Sequence, residues 1–131
     1  GDGNPPAGLW GGVTVENQEC ANRRIPVLSR IPASVRFISC EPMLSLINLE
    51  HHHESIDWVI CGGESGPSAR PMEVSWVRSL RDQCIDHGIP FFFKQWGEWC
   101  PDWDNMMKKV GKMAAGKVID GETFLQIPDR R

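Results

Sequence analysis

The chain has 131 residues, 40% of them apolar and 24% charged, with a formal charge of −3. That size suits one domain with a real core, and the composition is that of an ordinary globular protein rather than a disordered chain. No apolar stretch approaches the roughly 20 residues a bilayer-spanning helix needs, no secretory signal opens the chain, and the acidic balance gives no general attraction to phosphate backbones.

Residues 1–8 begin Gly-Asp-Gly-Asn-Pro-Pro and read as a flexible leader, an expression scar or the cut edge of something longer. Leu9 to Val15 forms a first strand that stops at Glu16-Asn17. Asn17 is a good N-cap for a helix running through about Arg24. Pro26 is expected to end that helix and to start a second short turn, Val27 to Arg30. The second strand runs from Val35 to Cys40 and stops at Glu41-Pro42. An irregular connection follows over residues 43–56. It contains His51-His52-His53-Glu54, and three consecutive histidines cannot all face one metal from a regular element, which favours a solvated loop over a metal site.

The third strand, Ile56 to Cys61, enters a loop that begins Gly62-Gly63-Glu64-Ser65-Gly66 and ends Ala69-Arg70-Pro71. A helix from about Ser75 to His87 places Trp76, Val77, Leu80 and Cys84 on one face, and Gly88 fits its C-terminal stop. Ile89-Pro90 leads into a fourth strand, Phe91 to Lys94. The remainder, residues 100–131, reads as a turn or short hairpin with several lysines, then a frayed end. It packs on the domain or is partly disordered.

Short apolar runs that break at polar residues and alternate with helical patterns indicate buried parallel strands. The fold class is therefore α/β, with parallel β/α units over residues 9–99 forming about half of a TIM-like barrel, since closure takes about eight strands.

The five cysteines, Cys20, Cys40, Cys61, Cys84 and Cys100, are separated by 20, 21, 23 and 16 residues, so no CxxC pair exists. Neither a metal site nor a disulfide framework follows, and reduced thiols in a cytoplasm are expected. Six tryptophans accompany no tyrosine. Trp96 and Trp99, just past the last parallel strand, are candidates to line a pocket.

Ligands of parallel sheets bind beyond the carboxyl ends of the strands. Glu16, Glu41, Glu64 and Lys94 occupy equivalent places there and are expected to converge at one rim. A lysine among carboxylates keeps them ionised, which suits acid–base work or the binding of an amine and hydroxyls. The candidate catalytic residues are Glu41, Glu64 and Lys94. The candidate ligand-binding residues are Glu16, Asn17, Gly62, Gly63, Ser65, Arg70, Gln95 and Trp96. The glycine loop could make an anion nest or simply turn tightly, and Arg70 could clamp an anion or pair with Glu64.

Several segments together resemble one family: Trp10 to Gln18, Arg36 to Pro42, Ile56 to Gly66, Arg70-Pro71-Met72, Trp76 to Cys84, Phe91 to Gly97, and, in the tail, Gly111-Lys112 and Ala114-Ala115-Gly116. The chain is similar, from about Leu9 to Pro128, to the phage-associated, radical-SAM-like group of the phage protein thirty-seven/sixty-eight type. The resemblance implies a radical S-adenosylmethionine (SAM) barrel with an N-terminal iron–sulfur motif. This chain lacks that cysteine motif and matches only a C-terminal half, so no cofactor is expected in the chain alone, although SAM fits the resemblance. A fragment, a natural half-protein that pairs, and a relative without chemistry all agree with it.

Three functions follow as expectations. One is the ligand-binding half of a radical-SAM-like enzyme, inactive in radical chemistry alone. The second is a non-catalytic binding or assembly module. The third is a nucleic-acid processing factor, suggested by the lysine-containing tail with Trp99 and Trp103. A half-barrel leaves edges and an inner face uncovered. A homodimer, a missing N-terminal half-barrel or the chain's own tail is expected to cover them, and no membrane partner is expected.

Overall fold

The computed structural model describes residues 8–129. Its centre is a four-stranded sheet of β1 (Trp10–Thr14), β2 (Val35–Cys40), β3 (Trp58–Cys61) and β4 (Phe91–Phe93). All neighbours are parallel and lie in chain order. Sequential right-handed crossovers put the connections on one face, so that face is buried and the other is left open. The arrangement is a mixed α/β fold with a parallel sheet, and among the described residues no closed barrel is formed.

The buried face is built by α1 (Gln18–Leu28) and α2 (Val74–His87). Ile38, Val59, Phe91 and Phe93 of the sheet join Ile25, Leu28, Val77, Leu80 and Cys84 of the helices in one apolar cluster. Each fully buried side chain of this size contributes about 1.5–3 kcal/mol. The β2–β3 connection does the work of a missing helix: Met43, Ile47 and Leu49 enter the same cluster, and its only regular piece is a 3-10 turn at His53–Ser55. Two glutamines hold its backbone. Gln18 of α1 accepts from the Asn48 N–H at 2.6 Å, and Gln83 of α2 accepts from the Leu49 N–H at 2.7 Å while donating to the Ile47 carbonyl at 2.8 Å.

Two local expectations are corrected here. Pro26 lies inside α1 instead of ending it. The carbonyl deprived of its partner belongs to Asn22, which is exposed to water, while Ile25 and Leu28 on the other side are buried, so packing outweighs the lost hydrogen bond. The tail forms the expected short hairpin, but the segment after it is not a frayed end among the described residues. After β4 the chain forms an antiparallel hairpin, β5 (Trp99–Pro101) and β6 (Met107–Lys109), then the short helix α3 (Lys112–Ala115). It then returns along the outer edge of β4, where the Phe93 N–H donates to the Phe124 carbonyl at 2.7 Å and the Gln126 N–H to the Phe91 carbonyl at 3.1 Å. Leu125 opposes Phe92 in an antiparallel bridge.

The open face is aromatic. Trp58 lies edge-on to Trp10, Phe37 and Phe92, with ring centroids 5.6, 5.9 and 6.2 Å away, and all four side chains are half-buried. The Phe37 ring lies over Gly12, where any Cβ would fall 2.3 Å from it. The leader, residues 1–7, lies outside the described residues.

Candidate functional site

Beyond the carboxyl ends of β2, β3 and β4 the register carries on by one residue. Cys40, Cys61 and Phe93 are aligned neighbours, so Glu41, Gly62 and Lys94 follow as a row on the open face. Glu41 and Lys94 stand two strands apart with Gly62 between them. The Lys94 Nζ donates to Glu41 Oε2 at 3.2 Å across that gap, and Ser39 Oγ donates to Glu41 Oε1 at 2.7 Å. A Cβ on Gly62 would lie 3.4 Å from Glu41 Oε2 and 3.5 Å from Lys94 Cβ, so a methyl fits and a longer side chain would separate the pair.

The side chains of Glu41 and Lys94 are 28% and 48% exposed, and such a pair contributes about 0–1 kcal/mol to stability. Neither charge is needed to hold the sheet. The lysine keeps two donors, and the carboxylate two of its acceptor sites, for something else. Immediately below on the open face lie Ser39, Ile60 and Phe92. The row and the Ser39 hydroxyl just below it thus offer an acid, a base and a hydroxyl beside the apolar Ile60 and Phe92.

Glu64 and Arg70 form a second pair beside it. The Arg70 guanidinium donates to both oxygens of Glu64 at 2.9 Å, and its backbone N–H adds a third bond at 3.0 Å. These hydrogen bonds from the side chain, then from the backbone, hold the Glu64 carboxyl down at about 2. The Arg70 guanidinium is raised in turn, first by its hydrogen bond to Glu64 and further by the charges of Glu64 and Glu16, which brings Glu16 into the same field. Arg70 is therefore engaged by Glu64, the pairing reading of the two weighed from sequence.

Of the two readings of the glycine loop, an anion nest or a tight turn, the hydrogen bonds agree with the turn. The Gly62, Gly63 and Gly66 N–H groups already donate, to the Cys40 carbonyl, the Gln95 carbonyl and Glu98 Oε1, at 3.1, 2.9 and 2.9 Å. The glycines serve backbone contact instead. A Cβ on Gly63 would fall 1.7 Å from the Trp96 carbonyl oxygen, and one on Gly97 2.1 Å from that of Glu64. Ser65 is an exposed residue of this loop.

Other candidates have structural places. Asn17 caps α1, accepting from the Cys20 N–H at 2.8 Å. Trp96 is not a pocket residue: it is buried against Phe93, and its indole N–H donates to the Val118 carbonyl at 2.8 Å. Trp99 is half-buried and donates to the Ala69 carbonyl, and Gln95 meets the loop through its backbone carbonyl. Ser39 was missed from sequence, although its spacing of two from Glu41 puts both side chains on one face.

Among the described residues no three His, Cys, Asp or Glu side chains converge as a metal site. Cys40, Cys61 and Cys84 are buried on the helix side of the sheet, and burial pushes all three thiols up, Cys84 to about 12. They are protonated core residues, and an iron–sulfur cluster does not fit them.

The family match covers almost the whole chain, residues 2–128, and so takes in every rim residue. The chain belongs to the DUF5131 family, proteins of unknown function. No curated protein and no solved structure matches this DUF5131 chain. Among its described residues no helix is long and apolar enough to cross a membrane.

Proposed function

We propose that this chain is the ligand-binding part of a β/α-barrel enzyme of the radical-SAM-like kind, with the Ser39–Glu41–Lys94 row as its recognition group. The observation that carries the reading is the Glu41–Lys94 pair spanning Gly62 at the carboxyl ends of the strands. Charges there are accessible, contribute little to folding, and stand beside the apolar Ile60 and Phe92. Glu16 and Glu41 with Lys94 complement an ammonium and a carboxylate, the two charges of an amino-acid group. SAM carries such a group, and the resemblance to SAM enzymes makes it the first ligand to try. Radical chemistry would need a cluster held by other residues.

The aromatic open face supports the same reading. Trp58, Phe37 and Phe92 are half-exposed on a sheet whose β4 edge the tail already occupies. Further β/α units, from a second copy or from a separate half-barrel, would therefore pair at β1 and close over this face.

Calorimetric titration of SAM into the chain and into Lys94→Met and Glu41→Gln tests the proposal. Saturable binding that falls about tenfold or more in Lys94→Met is expected, because a charge-assisted hydrogen bond is worth about 1.5–3 kcal/mol. Equal affinity in all three proteins, or no heat at millimolar SAM, would overturn it.

A further inference from the structure

A second surface lies on the β5–β6 hairpin. Its tip carries Trp103, which is 102% exposed, and Met113 on α3 is 96% exposed; no other large apolar side chains among the described residues are as open. Exposure of that order leaves both faces of the indole in water, which a folded protein tolerates but does not gain from.

The tip is rigidly built. Asp102 accepts from the N–H groups of Asp104 and Met106 at 2.8 and 3.0 Å, Asn105 takes the left-handed conformation that closes the turn (φ 61°), and Arg78 of α2 donates to Asn105 Oδ1 at 3.1 Å. The base of the hairpin is tied to the loop after β3, with Lys109 Nζ on the Pro67 carbonyl at 2.9 Å and the Trp99 indole on that of Ala69. The exposed indole is thus held out on a fixed support.

Beside it runs an open groove of about 500 Å³ lined by Trp103, Cys100, Val110, Val118, Arg78 and Lys108, with Asp102 and Asp120 also on its walls. Both carboxylates are occupied: Asp102 by the turn and by Lys108 at 3.4 Å, Asp120 by Arg78 and Arg81 at 2.7 and 2.6 Å. The hairpin and α3, residues 99–117, hold four lysines against two aspartates in a chain of net charge −3. Among the described residues Lys109, Lys112 and Lys117 are in no ion pair, and neither is the exposed Asp104 beside Trp103, so four lysines less two aspartates leave the segment a net charge of +2.

We propose that this hairpin binds single-stranded nucleic acid, one base stacking on Trp103 at the tip and phosphates further along the strand meeting Lys109 at the hairpin base and Lys112 and Lys117 on and after α3. A free aromatic face on a segment that also carries lysines is the combination that holds single strands without base-specific contacts. A groove lined by Val110 and Val118 next to the indole gives the base an apolar wall. The site is separate from the strand-end row, and its test does not depend on the ligand of that row.

Fluorescence anisotropy of a labelled oligo-dT strand of about 20 nucleotides, at salt from about 50 to 200 mM, decides the matter. Saturable binding that weakens with salt is expected. Trp103→Ala should bind about tenfold less tightly, Trp103→Phe should stay near wild type, and Lys112→Glu with Lys117→Glu should weaken binding and flatten the salt dependence. Circular dichroism checks that each variant is folded; the substituted side chains are exposed. Absence of saturable binding at 50 mM salt, or wild-type affinity in Trp103→Ala, would overturn the proposal. So would displacement by poly-glutamate as readily as by unlabelled DNA, which would assign the surface to an acidic protein segment.

Discussion

The Glu64 carboxylate takes three hydrogen bonds from Arg70 and is held at about 2, against an ordinary 4.5. Asp120, gripped by Arg78 and then Arg81, is likewise held at about 2 against 3.8. Both folded values lie below the unfolded ones. Each group therefore adds stability that is fully present above about pH 4.5 and is lost as pH falls toward 2. Urea midpoints measured from pH 5 to pH 2 should fall steeply, and Glu64→Gln combined with Asp120→Asn should flatten that limb. An unchanged slope in the double variant would mean that other acids carry the acid sensitivity. Residues differ in how far their roles could be read from sequence. Asn17 caps a helix through a bond to Cys20, three positions away, and such local chemistry is legible. Trp96 is fixed by Val118, 22 residues on, and nothing near it signals that partner.

At the scale of elements, the strands and α2 are legible because apolar run, N-terminal turn and Gly88 stop agree with one another. The C-terminal segment is not. Its pairing with β4 is long-range and rests on two backbone hydrogen bonds around Leu125, which no periodicity of four to eight residues announces. The connection over residues 43–56 reads as irregular, and apart from the 3-10 turn it is; what sequence hides is that Gln18 and Gln83 fasten it from two helices. The glycine loop is the instructive case. Three glycines near a strand end suggest a ligand cradle, yet Gly63 and Gly97 let two backbone segments touch. Gly63→Ala forces a Cβ into the Trp96 carbonyl, so the loop after β3 must lift away from the segment after β4. A loss of about 2–4 kcal/mol in urea unfolding is expected. Gly62→Ala, where the added methyl finds ordinary contact distances, should cost much less, and equal losses at both positions would contradict the clasp.

The whole molecule is a sheet finished on one side and open on the other. Helices and the 43–56 connection seal one face, the tail seals the β4 edge, and the aromatic face ends at the Ser39–Glu41–Lys94 row. Sequence reveals the convergence of Glu41 and Lys94 because parallel register and side-chain alternation fix it, but it leaves open whether Arg70 pairs with Glu64 or with an anion, and the structure shows the Glu64 pair. The central claim is that the row, and neither the loop from Gly63 onward nor the helix side, receives a small zwitterionic ligand. Amide-resolved NMR during a SAM titration tests it most directly. The account predicts that the largest shift changes fall on Ser39, Glu41, Gly62 and Lys94 and vanish in Lys94→Met. Changes centred elsewhere, or the same changes in Lys94→Met, would contradict it.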